Sequence, residues 1–352
     1  MALLFVLALT ARAEGVAALD VGIVVFEPGI PEDISTHRER GIFPRIRQAE
    51  SRYLPVNLRR TLQDSGDWGA VRVMPDTGRL AELLIQGRIL QSSGRELLLD
   101  ISAIDATGRV WVQRQYRALT QPADYPVPRG GDAYSELYLE VAADLLAVRR
   151  QLDDNALREI RRVALLRYAA ELAPDAFSAY FQEDEAGRFR LLRLPADGDP
   201  MIARVLRIRN QEYVFIDSVD EQYERLHDEM AQTYALWLQY DSEQSLYRQE
   251  YAERAASRDK PGPRGSFAAM QQSYNTYRNY RIQEQDLHEL AAGFNNETAP
   301  TVVSTSGRVF HLNGTLDSQY AQWQDILRNI FALETGLPVA DDERNPFATH
   351  TQ

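Results

Sequence analysis

The sequence predicts an α+β protein. A small N-terminal α/β domain carries an antiparallel meander, a mainly helical region with a long helical hairpin follows, and a small strand-strand-helix piece closes the chain. Three observations carry this. Apolar runs at about 83–91, 96–104 and 109–117 are separated by Ser92-Ser93-Gly94 and Asp105-Ala106-Thr107-Gly108, both turn sequences. Between Pro200 and Pro261 there is neither a glycine nor a proline, which suits one or two long helices. Thr301–Val303 and Arg308–Asn313 flank Ser306-Gly307 as a hairpin ahead of an amphipathic stretch, Ser318–Thr335.

Leu19 to Phe26 is a short apolar run stopped by Glu27-Pro28-Gly29, as expected of a buried strand. Residues 27–44 hold three prolines and two glycines and read as a loop. The next helix is expected to be interrupted or restarted at Pro55, because proline suits a first helical turn. Leu54, Leu58 and Leu62 then fall on one face, Gly66 caps the helix, and Ala70–Val73 is a strand ended by Pro75. In the meander, Leu97, Leu99 and Ile101 share a face and Leu98 and Ile104 lie on the other, so one face should be fully covered and the other partly. Residues 119–131 read as a linker, and Asp132–Leu152 as a helix packing back on the sheet.

Asp153-Asp154 can cap a helix running to about Leu172, and Pro174 opens another short one. Residues 186–194 read as a strand or an extended arm. In the breaker-free run a heptad fits from Val219: Tyr223, Leu226, Met230, Thr233, Trp237, Tyr240, Gln244, Tyr247 and Tyr251 follow, nearly all apolar or aromatic. The turn at 260–265 leads to a return helix, Phe267 to Phe294, with Met270, Tyr274, Tyr277, Tyr280, Leu287 and Leu290 as its apolar positions. That helix is too short to cover the whole first arm. Tyr320, Trp323, Leu327 and Ile330 form one stripe of the last helix, which Gly336 and Pro338 end.

The expected division is a signal peptide at 1–13, an α/β domain at 14–152, a helical domain at 153–298, a small module at 299–338 and a disordered tail at 339–352. The N-terminal run MALLFVLALTARA ends in Ala11-Arg12-Ala13, a small-x-small cleavage pattern before Glu14, and reads as an export signal. No later segment approaches the roughly 20 apolar residues of a transmembrane span.

With 51 acids against 39 bases the net charge is −12, which disfavours nucleic acid and anionic membranes. The absence of cysteine excludes disulfides, thiolate catalysis, Cys-ligated metals and a lipoprotein anchor. His37, His227, His288, His311 and His350 are scattered, none at metal-pair spacing, and are expected at the surface. No nucleophile-elbow, Walker or dinucleotide motif is present. No catalytic, cofactor or metal residue is therefore assigned, and no cofactor is expected.

The segment SGDWGAV, then ELLIQGRIL, then LLLDISAIDATGRVWVQRQY resembles a domain of ABC-transporter auxiliary envelope proteins. A related domain occurs in curli-secretion-type and flagellar-accessory envelope proteins. The resemblance covers residues of about 20–118, marked by Gly66, Gly87, Gly108, Trp68 and Asp105, and it implies the bacterial cell envelope. The lipobox cysteine typical of those auxiliaries is absent. With the export signal, this points to a non-catalytic periplasmic scaffold or adaptor. Its partner would be an envelope protein or a second copy, on a surface of Tyr223, Met230, Trp237, Tyr240, Tyr247 and Tyr251, since tyrosine and tryptophan are enriched at interfaces. One alternative is a binding module serving an envelope lipid or solute transporter, favoured by a deep apolar pocket beside the sheet. Another is an envelope-polymer hydrolase using acids such as Asp100 and Asp105.

Overall fold

A computed structural model describes residues 18–40, 42–256, 267–296, 301–305 and 308–337. The expected signal peptide and C-terminal tail lie outside the described residues, as does His350. The fold is mixed α+β.

Strand β1, Val21–Val24, is buried throughout and lies between two parallel neighbours, β2 (Val71–Met74) and β3 (Leu83–Ser92). Strands β4 (Glu96–Asp105) and β5 (Val110–Leu119) extend β3 as the expected antiparallel meander, giving the order β2-β1-β3-β4-β5. Alternation decides which face is covered. Leu83, Ile85, Ile89, Leu97, Leu99, Ile101, Ala103 and Tyr116 are all buried on the packed side. Gln86, Asp100, Gln113 and Gln115 are exposed on the opposite side.

Helix α1 (Ser35–Arg40) interrupts the loop after β1. Helix α2, Pro44–Ser65, then makes the parallel crossover to β2. It does not restart at Pro55. Proline has no N–H, so the carbonyl of Ser51, four residues back, loses its helical partner. That carbonyl instead accepts the backbone N–H of Phe26 at 2.9 Å. The break in the ladder thus ties the helix to the end of β1, and a continuous helix survives a residue that would otherwise end it. Gly66 caps the helix with φ 68°, the left-handed conformation that glycine adopts without a Cβ clash.

Helix α3 (Ser135–Arg150) returns over the covered face, burying Leu137, Tyr138, Val141 and Leu145. Helix α4 (Asp154–Leu172) opens on Asp153, whose side chain accepts the N–H of Ala156 at 2.8 Å. Helix α5 (Pro174–Phe177) is the short one expected at Pro174. Where an arm was expected at 186–194, β6 (Phe181–Glu183) and β7 (Phe189–Leu191) pair as a small hairpin.

Helix α6, Pro200–Ala256, is a single helix of 57 residues, about 85 Å at roughly 1.5 Å per residue. Helix α7, Phe267–Asn296, packs against it as the shorter arm. The sequence leaves the unmatched length of α6 uncovered, but the structure covers it. Strand β2 and helices α2 and α4 pack on it, as does α8 (Leu316–Thr335), which follows the hairpin of β8 (Thr301–Thr305) and β9 (Arg308–Leu312). On α8 the stripe Tyr320, Trp323, Leu327 and Ile330 is buried as expected and meets α6 at Phe215, whose ring stacks on Tyr320 at 6.1 Å.

Consequently the hydrophobic cores cross the expected boundaries. One joins the covered sheet face and α2–α4 to Leu226, Met230, Tyr234, Trp237 and Leu238 of α6. The other joins Val56 and Val73 to α4, the first half of α6 and α8. The long helix is a spine shared by both cores, because a 57-residue helix with an apolar face must bury that face against several elements in turn.

Candidate functional site

The six residues expected at a partner surface divide according to what α6 meets. Tyr223, Met230 and Trp237 are buried inside the chain, which corrects their assignment to a partner surface. Trp237 is enclosed by Phe43, Tyr234 and Tyr280, at ring separations of 6.3, 5.9 and 6.1 Å. The heptad marked a buried face correctly, but α2, the sheet edge, α7 and α8 of the same chain occupy it. Tyr240 is half-buried, and Tyr247 is 38% exposed. The side chain of Tyr251 lies outside the described residues.

Apolar surface does remain on the second arm. Met270, Tyr274 and Tyr277 are 64%, 63% and 50% exposed and recur at i, i+4 and i+7, so they form one stripe of α7. Tyr280 and Leu287 are buried. At about 100° per residue the exposed stripe sits roughly a quarter-turn around the helix from this buried pair. The sequence groups all five as apolar positions of the return helix, and the structure separates them. The side chain of Leu290 lies outside the described residues.

The acids of the hydrolase alternative are placed apart. Asp100 is exposed. Asp105 is buried, but its oxygens are taken by Thr107 N–H at 2.8 Å and Trp111 Nε1–H at 2.8 Å, a turn cap pinned to an indole. Among the described residues no group of three or more His, Asp and Glu could hold a metal ion.

Two polar clusters that the sequence does not reveal lie where α2 meets α6. In the first, Glu50 is wholly buried and accepts from the hydroxyls of Ser92 and Tyr234, the latter at 2.8 Å. Arg47 beside it donates to the carbonyl of Ile89 at 3.1 Å, and its Nε lies 3.8 Å from Glu50 Oε2. Burial pushes the Glu50 carboxyl up from its ordinary range. The adjacent turn is seated closely. Gly94 donates to Asp241 of α6 at 2.8 Å, and a Cβ at Gly94 would lie 2.0 Å from the carbonyl oxygen of Leu238. Only glycine permits that approach.

The second cluster is a relay of three residues. Asp132 accepts from the amide of Asn57 at 2.7 Å, and the amide oxygen of Asn57 lies 2.7 Å from Nε2 of His227. The imidazole stacks on Tyr53 at 4.2 Å. His227 is therefore not the surface residue expected: at 4% exposure it is one of the buried polar groups of α6, held against α2. Around this relay, α2, α3, α6 and the 117–133 segment enclose an open cleft of about 1060 Å³. A smaller pocket of about 140 Å³ lies against the sheet, with Leu84, Ile104, Ala106 and Ala164 in its lining.

Burial pulls His227 down to about 4, with Arg60 adding to the effect, while burial pushes Asp132 up to about 6. The two have opposite consequences for stability. His227 is neutral when folded, so the unfolded chain takes up a proton first as pH falls below 6.5, and stability is lost from there down to about 4. Asp132 binds its proton more readily when folded, so stability is gained as pH falls through about 6 toward 3.8. His227→Gln leaves only the second contribution. Relative to the unsubstituted chain, its unfolding free energy in urea should shift by about 2–3 kcal/mol in its favour between about pH 7.5 and about pH 4.5. A shift below about 0.5 kcal/mol would mean that the imidazole is not held neutral by its surroundings.

No protein-family model matches this chain and no curated protein matches it, so its functional reading rests on its own residues.

Proposed function

We propose that this chain is a non-catalytic scaffold or adaptor of the bacterial cell envelope, exported to the periplasm, that holds a protein partner on the outward stripe of α7. The observation that carries the reading is a helix that keeps Met270, Tyr274 and Tyr277 exposed in one row. Large amphipathic side chains presented together give contact area at low entropic cost, which is why they recur as interface anchors. Tyr247 of α6, 38% exposed, lies one turn beyond Glu243, to which Thr276 of α7 donates at 3.5 Å. The envelope placement is supported by the N-terminal apolar run with its Ala11-Arg12-Ala13 pattern and by the family resemblance of the meander. Among the described residues no helix is long and apolar enough to cross a membrane.

The test has two parts. Expressed from its full-length gene in its host, the protein should be recovered with Glu14 as its first residue; recovery from the cytosol with Met1 retained removes the periplasmic placement. The tagged chain should capture a defined partner from native envelope extract, identified by mass spectrometry. Tyr274→Ser with Tyr277→Ser should abolish that capture without lowering the melting temperature. Capture that survives the double substitution moves the contact away from α7.

A further inference from the structure

Several exposed arginines of this chain meet a carboxylate: Arg88, Arg114, Arg117, Arg207 and Arg281 each pair with a glutamate. One region departs from that pattern. Where the β6–β7 hairpin lies against α4, Arg109, Arg158, Arg162, Arg188, Arg190 and Arg193 are all exposed, and none makes an ion pair among the described residues. Arg158 donates to Asn155 at 2.7 Å and Arg193 lies over the ring of Tyr180 at 4.5 Å, contacts that neutralise neither charge. The six line two hollows, of about 640 and 340 Å³, that share Glu159. The other acid of that lining, Asp184, caps the hairpin turn by accepting the N–H groups of Ala186 and Arg188, both at 2.9 Å. Glu183 and Glu185 stand at the turn, the end of the hairpin away from residues 192–194, which follow β7. Asp153 and Asp154, at the start of α4, line neither hollow.

A surplus of arginine attracts any anion, and a second observation selects among them. Leu192 and Leu194 are 59% and 49% exposed and flank Arg193 in the smaller hollow, beside Arg158 and Arg162. The centre of a protein–protein interface is depleted of charge, whereas here each apolar position has a guanidinium next to it. That interleaving matches a lipid–water boundary, where leucine enters the acyl layer and guanidinium pairs bidentately with phosphate above it. The net charge of −12 does not oppose this at close range, because at physiological salt charges beyond about 8 Å are largely screened.

We propose that the face formed by α4 and the β6–β7 hairpin is a peripheral contact for the anionic leaflet of a phospholipid bilayer. Leu192 and Leu194 enter the interface, and the six arginines hold the phosphates. This face shares no residue with the exposed stripe of α7, so either contact can fail without the other.

The experiment is flotation of the full chain with vesicles of phosphatidylcholine alone and of phosphatidylcholine with one-third phosphatidylglycerol. The readout is the ratio of the two affinities, which cancels any contribution of the N-terminal apolar run to both. A ratio of at least tenfold is expected at low salt, falling as sodium chloride is raised. Arg162→Glu with Arg190→Glu should abolish the preference and leave the melting temperature unchanged, since neither side chain has a partner to lose. The milder pair Arg162→Gln with Arg190→Gln should reduce it in the same direction if the reversal disturbs the fold. Leu192→Ser with Leu194→Ser should weaken binding to the anionic vesicles by about tenfold while the salt dependence remains. No anionic preference, a preference that survives both arginine pairs, or indifference to the leucine pair would each overturn the proposal. So would equally tight, leucine-independent binding of polyglutamate, which would assign the face to a soluble acidic partner.

Discussion

Trp237→Ala is expected to cost about 3–5 kcal/mol of unfolding free energy, the range for deleting a large aromatic from a packed core. The indole is 1% exposed and touches three aromatic rings that come from the N-terminal segment, α6 and α7. Removing it opens a cavity where three elements meet, and Phe43 and Tyr280, 5.5 Å apart, cannot close on it without moving both helices. The loss should be independent of protein concentration, because the indole is covered by its own chain. Urea unfolding at two concentrations checks both points. A cost below about 1 kcal/mol, with a midpoint that moves with concentration, would place Trp237 against a second molecule and reverse the assignment of its surroundings.

What the sequence makes legible here is periodicity and punctuation. The alternation of Leu97, Leu99 and Ile101 against Asp100 identifies the covered face of the meander, and the turn glycines place its hairpins. The stripe on α8 and the caps at Asp153 and Gly66 are equally local, since each depends on residues within a turn or two of one another. The heptad of α6 is also correct as a statement that one face is apolar. What a heptad cannot name is the element that covers it. A spacing of three and four residues is satisfied alike by a return helix, a sheet edge or another protein. Here α2, β2, α7 and α8 of the same chain cover it.

Pro55 fails as a stop signal for a related reason. Its cost depends on whether the carbonyl of Ser51 finds another donor, and that donor, Phe26, is on a different element. The relay is the extreme case, since Asn57 lies 75 residues from Asp132 and 170 from His227. No local pattern links them. The single available signal was a polar residue, His227, directly after the apolar heptad position Leu226, within a long amphipathic run.

Glu50 should be the most sensitive of the buried polar groups, and its response distinguishes a pair held for stability from one merely tolerated. Glu50→Ala removes the carboxylate paired with Arg47 and leaves a guanidinium that is 1% exposed with Nη2 unsatisfied. It also strips the hydroxyls of Ser92 and Tyr234 of their common acceptor. Breaking a buried pair from one side costs about 3–5 kcal/mol, most of it the penalty of stranding the other charge. Replacing both members by apolar residues of similar size, Arg47→Met with Glu50→Leu, removes that penalty. The double variant should recover the part due to the stranded guanidinium, while the two hydroxyls stay unpaired at about 1–3 kcal/mol each. Unfolding free energies of the two single variants and the double variant close the cycle. Additive losses would mean that Arg47 and Glu50 do not act on each other. A cost under about 1 kcal/mol for Glu50→Ala would mean that water reaches the pair and that the junction of α2 with α6 is looser than its geometry implies.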